Sequence, residues 1–200
     1  IFISAFFLMW FVTGIVLIYH PYPRVSEQLC NSHKEVLPSS LPKLDWIGDR
    51  VEGDLQAVKI RQFQGQTLID VKTKDKKAQL TTDTLQEIKS VDFKCVVNIA
   101  RGWTDAPVAK VDTLHRREQW VLYSKYDKEL PIYKFHFDDK DKTELFISGQ
   151  SAQVLQLTTR KERFWAYAGA IPHKLYFPFI RRNTDAWMDT VVVGGSVCFA

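Results

Sequence analysis

Residues 1–19 form an uninterrupted run without a single charged side chain. The run is rich in aromatic and branched apolar residues, and a helix of this length rises about 28 Å. That rise nearly matches a hydrocarbon core of about 30 Å. No basic stretch precedes the run and no small-residue cleavage site follows it, which disfavours a secretory signal peptide. The run therefore predicts a transmembrane helix.

A second apolar run, residues 188–200, ends the chain and contains the small residues Gly194, Gly195 and Ser196. Small residues let membrane helices pack closely. Because residue 1 is Ile and the second run is short, we expect a fragment with further spans following. The resulting division is a first span (1–19), a loop domain (20–165), an interfacial segment (166–187) rich in aromatic and basic residues, and the start of a second span (188–200).

The composition narrows the function of the loop domain. The formal net charge is only +4, and basic and acidic residues alternate instead of forming a basic block, which argues against a nucleic-acid partner. Cys30 and Cys95 permit one disulfide, and two unrelated thiols are an equal alternative. Basic residues ahead of the second run favour a cytoplasmic loop, but this rule is weak above about 60 residues, and we expect an extracytoplasmic loop.

Apolar alternation within the loop domain predicts mostly strands. From Leu55 it indicates a hairpin turning at Gly65, followed by a third strand at residues 78–81. A helix is predicted at residues 90–99 with Ser90 as its N-cap. Further strands are predicted at residues 108–114, 119–123, 132–137, 143–147 and 152–157. The fold class is α+β, with antiparallel strands packed on a helix and flanked by transmembrane helices.

Several segments together resemble the PepSY-associated transmembrane family. The closing hairpin is similar to the family's aromatic strand and its Leu-Tyr-Val-Asp-x-x-x-Gly-x-Val ending, with Ser148 in place of the aspartate and Gly149 displaced. The segments that carry the resemblance are Trp10-Phe11-Val12-Thr13-Gly14, Pro131-Ile132-Tyr133-Lys134-Phe135, Leu145-Phe146-Ile147 and His173-Lys174-Leu175-Tyr176-Phe177.

The resemblance implies a multi-pass protein of the bacterial inner (cytoplasmic) membrane with a PepSY-like extracytoplasmic domain and a link to iron uptake. Some family members are similar to ferric-siderophore reductases that hold haem b on histidines. Carried over to this chain, the resemblance makes His173 a haem ligand, with His20 as a second candidate. It implies oxidoreductase activity, with the lipid bilayer and a ferric siderophore or periplasmic protein as partners. It assigns no catalytic residue and no metal site.

Alternatives stay open beside this hypothesis. Residue type alone favours an interfacial histidine for His173, and the resemblance brings the two interpretations level; for His20 it favours a helix terminator beside Pro21. The three other histidines, His33, His115 and His136, are predicted to lie on the surface. The rival function is a binding or sensing module that recognises a peptide or protein through an exposed sheet edge, without catalysis. No hydrolase or nucleotide-binding motif is present.

Overall fold

The structure, a computed structural model, describes residues 2–40, 43, 45, 47–51, 53–63, 65–74, 77–81 and 91–199. Two short 3-10 helices lie at Gln119–Val121 and Ser124–Glu129. The helices are α1 (Phe2–Tyr19), α2 (Glu27–Ser32), α3 (Ile47–Arg50), α4 (Phe93–Arg101), α5 (Arg160–Ala168), α6 (Ala170–Lys174), α7 (Pro178–Arg181) and α8 (Thr184–Phe199). The strands are β1 (Leu55–Phe63), β2 (Gln66–Thr73), β3 (Lys77–Thr81), β4 (Val108–Leu114), β5 (Ile132–Phe137), β6 (Glu144–Ser148) and β7 (Val154–Thr158).

The strands form two antiparallel sheets, so the described fold is α+β. The first sheet has the order β1-β2-β3, and the predicted hairpin is confirmed with Phe63 opposite Gln66. Gly65 sits in the turn with a φ of 76°, a left-handed conformation that glycine adopts at least cost. Ile69 and Val71 bury one face of this sheet against α3.

The second sheet has the order β4-β5-β6-β7, and its last three strands are the predicted meander. On one face, Phe135, Leu145 and Ile147 pack against Val96 and Ala100 of α4. Burying each of the large side chains contributes about 2 kcal/mol. The N-cap of α4 is Asp92, which accepts a hydrogen bond from the Lys94 amide. The predicted cap, Ser90, lies outside the described residues.

The opposite face of the second sheet holds a second core. Phe146 packs there with Trp120, Tyr22 and Ile171. The strand predicted at residues 119–123 is wrong, because Gln119–Val121 is a 3-10 helix. All three of its residues are buried, so the two-residue alternation of a half-exposed strand is absent there.

Helix α1 packs along one side on α5 and α6. The contact depends on two glycines that lack a Cβ atom. A Cβ on Gly14 would lie 2.9 Å from Cε1 of His173, and one on Gly169 would lie 2.7 Å from Cγ1 of Val16. Apolar side chains elsewhere on α1, such as Phe11, are exposed.

The prediction of flanking transmembrane helices is wrong. Among the residues described, no helix combines the length and the apolar character that a membrane crossing requires. α1 has 18 residues and rises about 27 Å, short of a core of about 30 Å. α8 has 16 residues and includes Asp185 and Asp189. The same finding contradicts the predicted multi-pass location in the bacterial inner membrane.

Candidate functional site

His173, the first predicted ligand, is held against α1. Its ring stacks on Trp10, with ring centroids 5.0 Å apart, and its Nδ1 lies 3.0 Å from the Trp10 carbonyl oxygen. A carbonyl only accepts hydrogen bonds, so Nδ1 carries the proton and Nε2 the lone pair. Thr13 is buried beside the ring, with its Oγ1 3.4 Å from Nδ1.

His20, the second predicted ligand, ends α1 in a different environment. Its ring stacks on Trp165 of α5, with centroids 4.2 Å apart and planes within 10°. It also lines a cavity that opens beside α5. His20 and His173 thus contact different aromatic partners.

The cavity beside His20 does not fit haem b. A haem needs an apolar slot with an imidazole nitrogen facing the iron. The His20 cavity instead includes four charged side chains: Arg24, Lys161, Glu162 and Lys174. Across the described chain, no group of three or more His, Cys, Asp or Glu side chains is arranged to hold a metal ion. Haem binding stays a prediction of the resemblance, and no chemical step is derived from it.

His136, predicted to lie on the surface, is half-buried in an ionic cluster on the second sheet. Its Nε2 lies 2.9 Å from Asp112 Oδ2 on β4, and its Nδ1 lies 3.5 Å from Glu144 Oε1 on β6. Lys134 Nζ lies 3.1 Å from both Glu144 Oε2 and Glu118 Oε1. These five residues, called the sheet cluster below, cross-link three neighbouring strands.

The Lys110 ammonium, 2.8 Å from Asp112, acts on the same cluster. Its hydrogen bond and charge, together with the His136 imidazole, hold the pKa of Asp112 below its usual value. Glu118 Oε1 and Glu144 Oε2 are buried and have no hydrogen bond of good geometry, although Lys134 is near both. Lys134 is therefore the cation that the two carboxylates share, and Arg163, 3.7 Å from Glu144 Oε2, is a second cation beside Glu144.

A groove follows β7, the outer strand of the second sheet. Three cavities of about 450, 640 and 610 Å³ lie in series along residues 153–156. The first two share Lys59 and Val154, and the second and third share Tyr126 and Leu155. Because neighbouring cavities share lining residues, they form one continuous depression, which we call the edge groove.

Gln156 joins the floor of the edge groove to one of its walls. Its Nε2 donates to the Pro23 carbonyl oxygen (2.8 Å), and its Oε1 accepts from the Val25 amide (3.1 Å). These bonds hold the segment that leads into α2, whose N-cap Ser26 accepts from the Leu29 amide. A buried polar side chain thus fixes an otherwise irregular segment beside β7.

The opposite wall is the 3-10 helix Ser124–Glu129. Tyr126 donates a hydrogen bond to the Leu155 carbonyl oxygen at 3.3 Å, and burial raises the pKa of its phenol. Leu155 lies where the pairing register of β7 with β6 shifts, as in a bulge. At the far end, the His33 ring stacks on Trp103 with centroids 4.3 Å apart.

The edge groove carries an excess of positive charge. Its lining includes five cations and three carboxylates. Glu35 accepts from the Gly65 amide, and Glu129 accepts from the Ser151 hydroxyl. Within the described part of the chain, four of the cations form no ion pair: Arg24, Lys34, Lys59 and Lys125. Five cations against three carboxylates leave the described lining with an excess of two positive charges.

Sequence reasoning missed these residues for a physical reason. The walls come from segments more than a hundred residues apart in the chain, such as Val25 and Gln156. No local spacing marks such a site. The one local signal is the run Tyr123-Ser124-Lys125-Tyr126, in which a lysine lies between two tyrosines.

No family model matches the chain, and neither the curated proteins nor the solved structures include one that is similar to it.

Proposed function

We propose that this chain is a binding module that holds an extended acidic peptide in the edge groove without catalysis. The observation that carries the proposal is the series of connected cavities along β7, lined by four cations that have no ion-pair partner among the described residues. This is the rival hypothesis of the sequence analysis, now given a specific surface. The reductase hypothesis is not adopted, because the cavity beside His20 is lined by four charged side chains.

The size of the groove suits a short extended segment. β7 has 5 residues, and a strand rises about 3.3 Å per residue, so the floor is about 17 Å long. An extended peptide of about five residues covers that length. Each of the three cavities has the volume typical of small-ligand pockets, about 300 to 1,000 Å³. Alternate side chains of the peptide would occupy successive cavities.

The chemistry of the walls favours acidic side chains. Carboxylates of the peptide would neutralise Lys59 and Lys125, which form no ion pair within the described chain. Lys125 Nζ lies 4.9 Å from the ring centroid of Tyr126, which keeps a charge and an aromatic surface side by side. Because the bulge at Leu155 interrupts the strand edge, we assign specificity to the walls more than to a continuous backbone ladder.

Binding of defined peptides tests the proposal. The test uses three fluorescein-labelled heptapeptides that are blocked at both ends. In each, Val alternates with one polar residue, which is Glu, Gln or Lys, so that the three have similar backbone conformational preferences. We expect the Glu peptide to bind the 200-residue chain at least tenfold tighter than the Lys peptide, as fluorescence anisotropy measures. The Gln peptide should lie between them. Equal or tighter binding of the Lys peptide would overturn the proposal.

Charge-reversal variants locate the binding. Lys59→Glu combined with Lys125→Glu should weaken binding of the Glu peptide at least tenfold. Lys140→Glu is the matched control, since Lys140 is exposed and lies in a turn outside the groove. It changes the net charge in the same direction. The control changes one charge and the groove variant changes two, so the losses are compared per charge. If Lys140→Glu weakens binding as much as the groove variant does, the peptide does not bind in the edge groove.

A further inference from the structure

A fourth cavity, of about 530 Å³, continues the edge groove beyond the end of β7. It shares Pro23 and Arg24 with the groove, and we call it the end cavity. Its other walls are the end of α1 and the first turns of α5, which contribute His20, Lys161 and Trp165. Lys174, the last residue of α6, completes it.

Three cations and one carboxylate line the end cavity, which leaves an excess of two positive charges (three minus one). In the described part of the chain, Arg24, Lys161 and Lys174 belong to no ion pair. The one carboxylate in the lining, Glu162, is engaged elsewhere. Its Oε2 accepts from the Thr159 amide (2.7 Å) and hydroxyl (2.9 Å) in the capping box of α5.

Lys161 occupies an electrostatically unfavourable position in α5. It lies in the first turn of α5, where the positive end of the helix dipole disfavours a cation. Arg163, also near that end, is compensated by Glu144 at 3.7 Å and by the Thr158 hydroxyl at 3.0 Å. Arg160, in the same turn, and Lys161 both lack an ion pair among the described residues. Of the two, only Lys161 lines the end cavity.

The remaining walls are rigid and aromatic. The His20 ring lies parallel to Trp165, and Pro21 and Pro23 restrict the backbone between α1 and α2. Such walls present a flat apolar surface next to the three cations. The combination suits a planar anion carried on a short apolar stem, and a carboxylate at the end of an extended chain has that form.

We propose that the end cavity binds a carboxylate of the peptide held in the edge groove, an inference that rests on the proposed function. Arg24, shared by the two cavities, marks where the groove passes into the end cavity. Lys161 and Lys174 belong to the end cavity alone and neutralise the carboxylate. The carboxylate comes from the terminus of the peptide or from an Asp or Glu side chain near it.

The test uses the Glu-Val heptapeptide with either a free carboxyl terminus or an amide. Its affinity is measured for the full chain, for Lys161→Met/Lys174→Met, and for the control Lys140→Met. Methionine keeps the length of the side chain and removes the charge. On the unchanged protein we expect the free acid to bind about tenfold tighter than the amide. That ratio should fall to near one in the double variant and persist in the control.

The outcomes separate the two sources and the two proposals. If the acid and the amide bind the unchanged protein equally, and the double variant weakens both, a side-chain carboxylate occupies the end cavity. If the double variant alters the affinity of neither peptide, the end-cavity proposal is overturned. The edge groove is judged independently by Lys59→Glu/Lys125→Glu, which should weaken acid and amide by the same factor and keep their ratio.

Discussion

The edge groove and the sheet cluster are both charged, and they differ in how the charge is compensated. In the sheet cluster, Lys134 and His136 each lie beside two carboxylates. In the edge groove, Lys59 and Lys125 have no ion-pair partner among the described residues. Paired charges in a half-buried site hold strands together, whereas unpaired charges on a concave surface attract a ligand. Under the proposed function, the comparison separates residues that stabilise the fold from residues that would bind the peptide.

Burial explains why the two regions tolerate change differently. The side chains of Lys134 and Glu144 are 13% and 14% exposed, so removing one leaves the other charge poorly solvated. The groove cations line open cavities, where water compensates their charge in the unbound state. A substitution in the sheet cluster should therefore change the free energy of unfolding. One in the groove should change the affinity for a ligand.

The largest expected effect comes from Lys134→Met. The variant keeps the aliphatic stem and leaves the buried oxygens of Glu118 and Glu144 without the cation that they share. We expect a loss of about 3 kcal/mol in the free energy of unfolding, measured by urea denaturation. Lys59→Met is the matched variant and should change that free energy by less than about 0.5 kcal/mol. Equal losses in the two variants would remove the distinction between the regions.

Gln156→Leu addresses the point where the groove meets the core. It removes the partners of the Pro23 carbonyl and the Val25 amide and keeps much of the side-chain volume. We expect a loss of about 2 kcal/mol in the free energy of unfolding, because polar groups are left unsatisfied. Weaker binding of the Glu-Val peptide should accompany it, since the wall loses its anchor. Retained affinity with reduced stability would show that this wall does not shape the groove.

The sequence predicted the second sheet better than it predicted the site. Strands β4 and β5 have the predicted bounds, 108–114 and 132–137, because β-branched and aromatic residues, which favour strands, recur along both segments. The 3-10 helix at residues 119–121 was not predicted, because all three of its residues are buried and their hydrophobicity shows no periodicity. The span predicted at residues 1–19 followed from hydrophobicity alone, which does not register the close contact of Gly14 with His173.

The site itself depends on tertiary contacts that no local pattern encodes. His173 and His20 were chosen by residue type and resemblance, and the structure gives each an aromatic neighbour on another helix. Glu144 and His136 were brought together by the register of β5 with β6. The predicted meander implies that register, and the sheet cluster could have been predicted from it alone. No comparable local pattern predicts the edge groove.

Tyr22 connects the end cavity with the hydrophobic core, because its side chain lines the cavity and packs in the core. Its hydroxyl donates to the Gln119 carbonyl oxygen, and burial raises the pKa of the phenol far above its usual value. The folded chain therefore keeps the proton when the unfolded chain loses it, and stability should fall as the pH rises above about 10. Tyr22→Phe should lose about 1 kcal/mol at neutral pH and show a flatter alkaline decline in urea denaturation. An identical alkaline decline in the variant assigns that titration to other groups.

The smallest expected effect lies at acid pH and belongs to the sheet cluster alone. The pKa of Asp112 is lowered in the fold, so its contribution to stability is complete above the usual value of about 3.9 and is lost as the pH falls through the lowered value. Because its side chain is 34% exposed, solvent screening keeps the contribution below about 1 kcal/mol. Asp112→Asn should flatten the acid decline in the free energy of unfolding. Lys59→Met should follow the unchanged protein throughout, because Lys59 forms no ion pair with another described residue. An acid decline altered equally in both variants would mean that the groove cations are also part of the ionic structure of the fold.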